Sequence, residues 1–137
     1  MNYDVLVKKA IEARENAYAP YSKFKVGASI LTEDGTIYTG CNVENASFGA
    51  TNCAERTAIF KAVSEGHRKI KAVAVVGSDN EYTYPCGICR QVMVEFAHED
   101  FKIIIVKNVN EYMVKDMNEI LPGAFTIENL KNSKEEN

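Results

Sequence analysis

Two short apolar runs constrain the fold of this chain more than any other feature. Residues 70–77 read IKAVAVVG and residues 102–106 read KIIIV, so both consist almost entirely of β-branched and small apolar residues. A strand with one face in water alternates apolar and polar residues, whereas a continuous apolar run is typical of a strand buried on both faces. We therefore predict two central strands with helices on each side of their sheet.

The segment before the first run predicts a helix followed by a hairpin. Residues 3–17 carry apolar side chains three and four positions apart, which lie on one face of a helix: Tyr3, Leu6, Ala10, Ala13 and Ala17. Residues 26–40 then read as two strands around the dipeptide Asp34-Gly35. Such a dipeptide between apolar runs is typical of a tight turn, so we expect an antiparallel hairpin.

A further helix precedes each of the two apolar runs. The first begins at Thr51 or Asn52, either of which can act as the N-cap, and it fades at Gly66. The second covers residues 86–97, where apolar side chains recur at helical spacing. Helix, hairpin, helix, strand, helix and strand in this order predict an α/β fold. We expect a three-layer α/β/α sandwich with a mixed sheet of about five strands.

Length and charge limit the architecture and the partners. A chain of 137 residues with 46% hydrophobic residues is expected to form one domain over residues 1–137, with residues 131–137 as a polar frayed tail. The net charge is −3, so there is no excess of cations to bind a phosphate backbone, and we expect no nucleic-acid partner.

No apolar run in the sequence approaches the about 18 residues typical of a membrane span. Charged residues also interrupt the N-terminal segment, which therefore lacks the apolar core of a signal peptide. We expect a cytoplasmic protein without a membrane partner.

Three of the four cysteines have spacings that suit a metal. Cytoplasmic cysteines seldom form structural disulfides, which leaves packing, metal binding or redox chemistry. Cys86 and Cys89 are three residues apart at the start of a predicted helix, and Cys53 starts another. Helix N-termini stabilise thiolates. Three thiolates on one Zn²⁺ would leave the fourth tetrahedral position open for water, which is typical of catalytic zinc.

Glu55 and Arg56, two and three residues after Cys53, also suit an open zinc site. Glu55 could move the protons of a water activated by the metal. Arg56 could offset the negative charge that three thiolates leave on the ion.

Two other interpretations of the cysteines stay open on this reasoning. Cys41 could close a non-catalytic, four-cysteine zinc site, although its more ordinary role is that of a small buried apolar residue. Cys86 and Cys89 could instead form a redox dithiol, which would leave Cys53 and Glu55 without a role.

Several motifs together resemble a known family. CAE followed by PCGIC is a signature of the zinc nucleobase deaminases. Across residues 20–95, the segments YSKFKVGA, GCNVENASF, NCAERTAI and PCGICRQV occur in the order seen in the small homotetrameric cytidine deaminases. LPGAF, which ends at Phe125, is similar to the C-terminal segment of that family.

The resemblance implies a cytidine deaminase-like fold and a hydrolase that acts on the C–N bond of a cyclic amidine. The expected reaction converts cytidine and deoxycytidine to uridine and deoxyuridine with release of ammonia, within pyrimidine salvage. One Zn²⁺ per chain would be held by Cys53, Cys86 and Cys89, with Glu55 relaying protons. The expected assembly is a homotetramer.

The resemblance also implies substrate contacts. Asn42 and Glu44 would bind the ribose hydroxyls, Phe24 would lie against the nucleoside, and the backbone of Ala54 would contact the base. Phe125 would reach the pyrimidine in a neighbouring subunit.

Two further positions concern the edges of the site. Gln91 would steady the metal shell from the adjacent turn of its helix. Many family members carry tyrosine where this chain has Phe48, so any contact of that hydroxyl is missing here. A deaminase of a nucleoside antibiotic such as blasticidin S remains the nearest alternative function.

Overall fold

The computed structural model describes residues 2–135. In chain order the helices and strands are α1 (Asp4–Arg14), β1 (Gly27–Thr32), β2 (Ile37–Cys41), α2 (Ala54–Ser64), β3 (Ile70–Val76), α3 (Gly87–Phe96), β4 (Ala97–Asn108), β5 (Glu111–Asp116), α4 (Met117–Ile120) and α5 (Ile127–Glu135). Among residues 2–135, no helix combines the length and the apolar character needed to cross a membrane.

The strands form one mixed sheet in the order β2-β1-β3-β4-β5. β3 and β4 are parallel, and the three other neighbouring pairs are antiparallel. The prediction of a mixed sheet of about five strands is therefore confirmed. So is the hairpin, since β1 and β2 are antiparallel neighbours joined by the turn that contains Asp34 and Gly35.

Helices cover both faces of the sheet, and β3 shows why its sequence is continuously apolar. Ala72, Ala74 and Val76 belong to a core that α1 closes on one face. Val73 and Val75 belong to the core that α2 and α3 close on the other face. Because successive side chains of a strand point to opposite faces, both sets must be apolar. The three-layer prediction is confirmed.

The start of α2 differs from the prediction. Cys53 is the N-cap residue, and its side chain makes no capping hydrogen bond. The Thr51 hydroxyl instead accepts a hydrogen bond from the Asn45 backbone N–H at 3.0 Å. The Asn52 side chain donates to the Thr57 hydroxyl at 3.0 Å. The prediction that either residue is the cap was wrong, because Asn45 of the preceding loop binds the Thr51 side chain and Thr57 of α2 binds the Asn52 side chain. Cys53 is the N-cap residue instead and lies at the positive end of the helix.

The bounds of α1, of β4 and of the C-terminal segment also differ from the prediction. α1 ends at Arg14, three residues before the predicted end. The run KIIIV is the central part of a longer strand, Ala97–Asn108. Residues 131–135, predicted as part of a polar tail, continue α5, while residues 136 and 137 lie outside the described residues.

Two glycines allow the helices to lie directly on the hairpin. A Cβ atom at Gly27 would overlap the carbonyl oxygen of Ala10 in α1. A Cβ atom at Gly40 would lie 2.5 Å from the backbone nitrogen of Ala58 and 2.6 Å from the carbonyl oxygen of Ala54 in α2. Since the opposing atoms are helix backbone, they cannot rotate away.

We expect Gly27→Ala and Gly40→Ala each to lower the free energy of unfolding by about 1–3 kcal/mol or more, because the added methyl forces a helix away from the sheet. Urea denaturation followed by circular dichroism measures the change. Gly49→Ala is the matched control, since a Cβ at Gly49 meets no atom within 4 Å. Equal stability of all three variants would contradict this packing.

Candidate active site

Three thiols come together where α2 and α3 begin. The sulfur atoms of Cys53, Cys86 and Cys89 all lie within 4.8 Å of one another, and the sulfurs of Cys53 and Cys86 are 3.6 Å apart. Two sulfurs that each bind a tetrahedral zinc at about 2.3 Å are about 3.8 Å apart. The three thiols therefore fit a single zinc ion.

Both helix N-termini supply favourable electrostatics to these sulfurs. Cys53 is the N-cap residue of α2 and Cys86 is the N-cap residue of α3. The Cys86 sulfur accepts a hydrogen bond from the backbone N–H of Cys89 at 3.4 Å. Because the N-terminal end of a helix carries partial positive charge, it stabilises thiolates. The predicted placement of the three cysteines is what the structure shows.

Arg56 lies beside the thiols, where the sequence placed a compensating positive charge. Its Nη2 donates to the Cys53 sulfur at 3.4 Å. A hydrogen bond from Cys89, and next the contact with Arg56, lower the pKa of Cys53 to about 5. The pKa of Cys89 is raised, first by its hydrogen bond to Cys53 and then by burial. A bound cation deprotonates the thiols that coordinate it.

Glu55 is the buried carboxyl group of the site, with only 3% of its surface exposed. Burial raises its pKa to about 7, and the negative charge of Cys53 acts in the same direction. A carboxyl group with a pKa near neutrality can both accept and release a proton. This property suits a residue that moves the protons of a water activated by a metal.

A cavity of about 290 Å³ brings these groups together with most of the predicted substrate residues. It is lined by Phe24, Asn42, Glu44, Ala54, Glu55, Cys53 and Cys86. Thr83 and Tyr84 line it as well, although no reasoning from the sequence identified them. Their position just before PCGIC is the signal that could have done so, because the residues that lead into a metal motif enter the site with it.

Asn42 lines the cavity, and its side chain is also hydrogen-bonded to the backbone of Val26 and Phe24. Its Oδ1 accepts from the Val26 N–H at 2.8 Å, and its Nδ2 donates to the Phe24 carbonyl at 2.9 Å. An amide has two N–H donors and two acceptor lone pairs on its oxygen. One donor and one lone pair of this nearly buried side chain are therefore left for a ligand.

Glu44 also lines the cavity, and hydrogen bonds stabilise its carboxylate in the ionised form. Its Oε1 accepts from the backbone N–H groups of Tyr21 and Ser22, each at 3.0 Å, and its Oε2 accepts from the Ser22 hydroxyl. These hydrogen bonds, those from Ser22 first, lower the pKa of Glu44. The carboxylate is thus fixed in place by a neighbouring loop before any ligand binds.

Comparison with known proteins decides which kind of site this is. Residues 1–106 match the family described as the cytidine and deoxycytidylate deaminase zinc-binding region. The chain belongs to this deaminase family. Its zinc-binding character agrees with the three sulfurs, whose arrangement suits one zinc ion.

Curated relatives and solved structures cover nearly all of the chain. The cytidine deaminase of Halalkalibacterium halodurans is 50% identical over 130 residues, which are 95% of this chain and 98% of that protein. The cytidine deaminase of Sporosarcina psychrophila is 47% identical and covers 99% of this chain and 100% of that protein. The crystal structure of cytidine deaminase from Burkholderia pseudomallei has a TM-score of 0.84 at 47% identity and covers 91% of this chain and 100% of that chain.

Four residues predicted for the deaminase site do not line the cavity. Cys89 and Arg56 lie in or beside the group of three sulfurs, whereas Gln91 and Phe125 contact each other instead. Gln91 is exposed on α3, where its Nε2 donates to the Phe125 carbonyl at 2.8 Å. This contact holds the C-terminal segment against α3, and it gives no support to a role of Gln91 in the metal shell. The Phe125 side chain is 61% exposed and does not line the cavity of its own chain.

Cys41 and Phe48 lie outside both the group of three sulfurs and the cavity of about 290 Å³. Cys41 ends β2, and the structure does not bring it into the group of three sulfurs, so the geometry opposes a closed four-cysteine site. Phe48 is 82% exposed and lines a neighbouring cavity of about 420 Å³. The two cavities share Ser22, Glu44 and Thr51.

We expect purified protein to contain one zinc per chain. Replacing Cys53, Cys86 or Cys89 by serine removes a ligand, so zinc affinity should fall by more than about 100-fold, the upper range for loss of an outer-shell partner. Mass spectrometry of metal content and competition with a chelator measure this. Cys41→Ser is the matched control and should keep its zinc. Zinc loss from Cys41→Ser equal to that from the other three variants would restore the four-cysteine site.

Proposed function

We propose that this chain catalyses the hydrolytic deamination of cytidine and deoxycytidine to uridine and deoxyuridine with release of ammonia. The proposal depends on one observation above all, which is that a buried carboxyl group, Glu55, lines the same cavity as Cys53 and Cys86. The curated relatives that align over nearly the whole chain are named cytidine deaminases, which supports this choice of substrate.

Cys53, Cys86 and Cys89 would hold the zinc ion. When bound, the ion would supply a Lewis acid that lowers the pKa of a water molecule. The protein's own contribution is the charge balance around the sulfurs. Arg56 and the two helix N-termini offset the negative charge of the thiolates, so the site can hold three of them around one ion.

Glu55 would carry the protons of the reaction. As a carboxylate it takes one proton from the attacking water and delivers it to N3 of the pyrimidine while the water oxygen bonds to C4. It then moves the remaining hydroxyl proton to the amino group on C4, so the C–N bond breaks, ammonia leaves and a C4 carbonyl remains. Because its pKa is about 7, Glu55 exchanges protons readily in both steps.

The cavity side chains would orient the nucleoside. Glu44 is ionised and already fixed by backbone donors, so it can accept a hydrogen bond from a ribose hydroxyl without reorganisation. Asn42 offers its free N–H to the same sugar. Phe24 would lie against the base, and the backbone of Ala54 would meet the edge of the base. Phe48 lines the neighbouring cavity and supplies no hydroxyl there.

Conversion of Glu55 to glutamine tests the proton relay. Glutamine has nearly the same shape but cannot transfer protons, so we expect kcat on cytidine to fall by about 10²–10⁴-fold. The zinc content should stay at one per chain, because Glu55 is not one of the three sulfur ligands. Ultraviolet absorbance follows the conversion to uridine.

Two results would count against the proposal. Wild-type turnover by Glu55→Gln would remove Glu55 from the mechanism. Turnover of blasticidin S by a zinc-replete wild type that leaves cytidine unchanged would move the substrate to the antibiotic class.

We further propose a cytoplasmic homotetramer in pyrimidine salvage, built from one deaminase domain per chain and without nucleic-acid or membrane partners. The exposed Phe125 side chain lies outside its own cavity, which suits a contact with the pyrimidine in a neighbouring subunit. Ile127 and Leu130 are also about half exposed on the same C-terminal segment and would be covered in such an assembly.

Light scattering coupled to size-exclusion chromatography should give the mass of four chains. Phe125→Ala should raise the KM for cytidine several-fold while the mass is retained. A monomer with full activity would contradict the shared site.

A further inference from the structure

On the basis of the proposed function, we infer that Gly77 is a positioning residue for the nucleoside cavity. Its missing side chain leaves the space in which the ring of Phe24 and the hydroxyl of Thr83 lie. Both of these residues line the cavity, whereas Gly77 itself does not. Gly77 would therefore act on the substrate only through its neighbours.

Neighbouring side chains fill the space beside Gly77. Gly77 is buried and directly follows the last residue of β3. A Cβ atom there would lie 2.5 Å from Cζ and 3.1 Å from Cε1 of Phe24, and it would overlap the Thr83 hydroxyl oxygen. Close packing leaves no room for an additional methyl without displacement of a neighbour. Any residue other than glycine must therefore displace one or both side chains.

The backbone of Gly77 is poorly placed to yield. Its carbonyl oxygen accepts a hydrogen bond from Arg14 Nη1 at 2.6 Å, which ties it to the end of α1. The residue before it, Val76, pairs with Gly27 on one side and with Val106 on the other. Since the strand end is held from three directions, a clash would be relieved by movement of the two cavity side chains.

The backbone of Phe24 is also held, so only its ring can respond. Its carbonyl accepts from Asn42 Nδ2 at 2.9 Å, and its N–H donates to the Ser22 hydroxyl at 3.0 Å. The preceding Lys23 has φ of 61°, a left-handed conformation that is uncommon for a residue with a side chain. Such conformations persist where the surroundings hold them. A methyl at Gly77 would thus push the ring of Phe24 towards the cavity.

Gly77→Ala in the zinc-replete protein is the test. We expect the KM for cytidine to rise about tenfold, while kcat changes less than about threefold. The reason for this split is that contact with the ring of Phe24 is present in both the bound substrate and the transition state. Zinc content should match wild type, because the nearest atoms that a Cβ at Gly77 would meet belong to Phe24 and Thr83 and not to the three ligands.

A second pair of variants separates positioning from general damage to the fold. In a Phe24→Leu/Thr83→Ala background, the three atoms that would clash are absent. Adding Gly77→Ala there should change KM less than about twofold, because the effect of Gly77 is expressed through those atoms. Denaturation midpoints measured on all four proteins report any loss of stability.

The outcomes are distinguishable. Cytidine turnover by wild type with unchanged KM in Gly77→Ala would overturn the inference and leave the proposed function intact. An equal rise of KM in both backgrounds would also overturn it, as would failure of both Gly77→Ala proteins to fold. Folding of Gly77→Ala only in the double background supports the space-filling contact. A zinc-replete wild type that does not convert cytidine would overturn the proposed function and this inference with it.

Discussion

The site depends on the parallel pairing of β3 and β4. α2 leads into β3 and α3 leads into β4, and each helix runs back along the sheet before its strand begins. Because the two strands are parallel, the N-termini of both helices lie beyond the carboxyl ends of the strands, the usual ligand-binding edge of such sheets. Cys53 and Cys86 are the N-cap residues of these helices. One strand pairing thus brings together thiols that lie far apart in the chain.

At this edge of the sheet, the surroundings of Glu55 and Glu44 shift the pKa values of the two carboxyl groups in opposite directions. Glu55 loses solvation, which raises its pKa towards neutrality and makes it a usable proton carrier. Glu44 keeps an ionised carboxylate because the Ser22 hydroxyl and the backbone N–H groups of Ser22 and Tyr21 donate hydrogen bonds to it and lower its pKa. Two carboxyl groups that line one cavity therefore have opposite pKa shifts, and separate roles follow from their surroundings.

Local sequence patterns predicted the central strands well because both faces of this sheet are buried. The continuous apolar residues of β3 are required by that geometry, so the run could be recognised without any tertiary information. The N-cap of α2 could not be recognised in this way. Thr51 and Asn52 have the right chemistry for caps, but in the folded chain their side chains bind Asn45 of the loop and Thr57 of α2.

The sequence by itself placed Cys53 and the Cys86–Cys89 pair at helix starts and Glu55 two residues after Cys53, because these positions follow from local patterns and short spacings. The order of several motifs along the chain indicated the family. Only the tertiary structure decided that Gln91 binds the Phe125 carbonyl and that Cys41 stays apart from the other thiols. It also decided that Gly77 meets Phe24. Contacts of this kind join segments distant in the chain, and their distances are set by how the layers pack rather than by any local pattern.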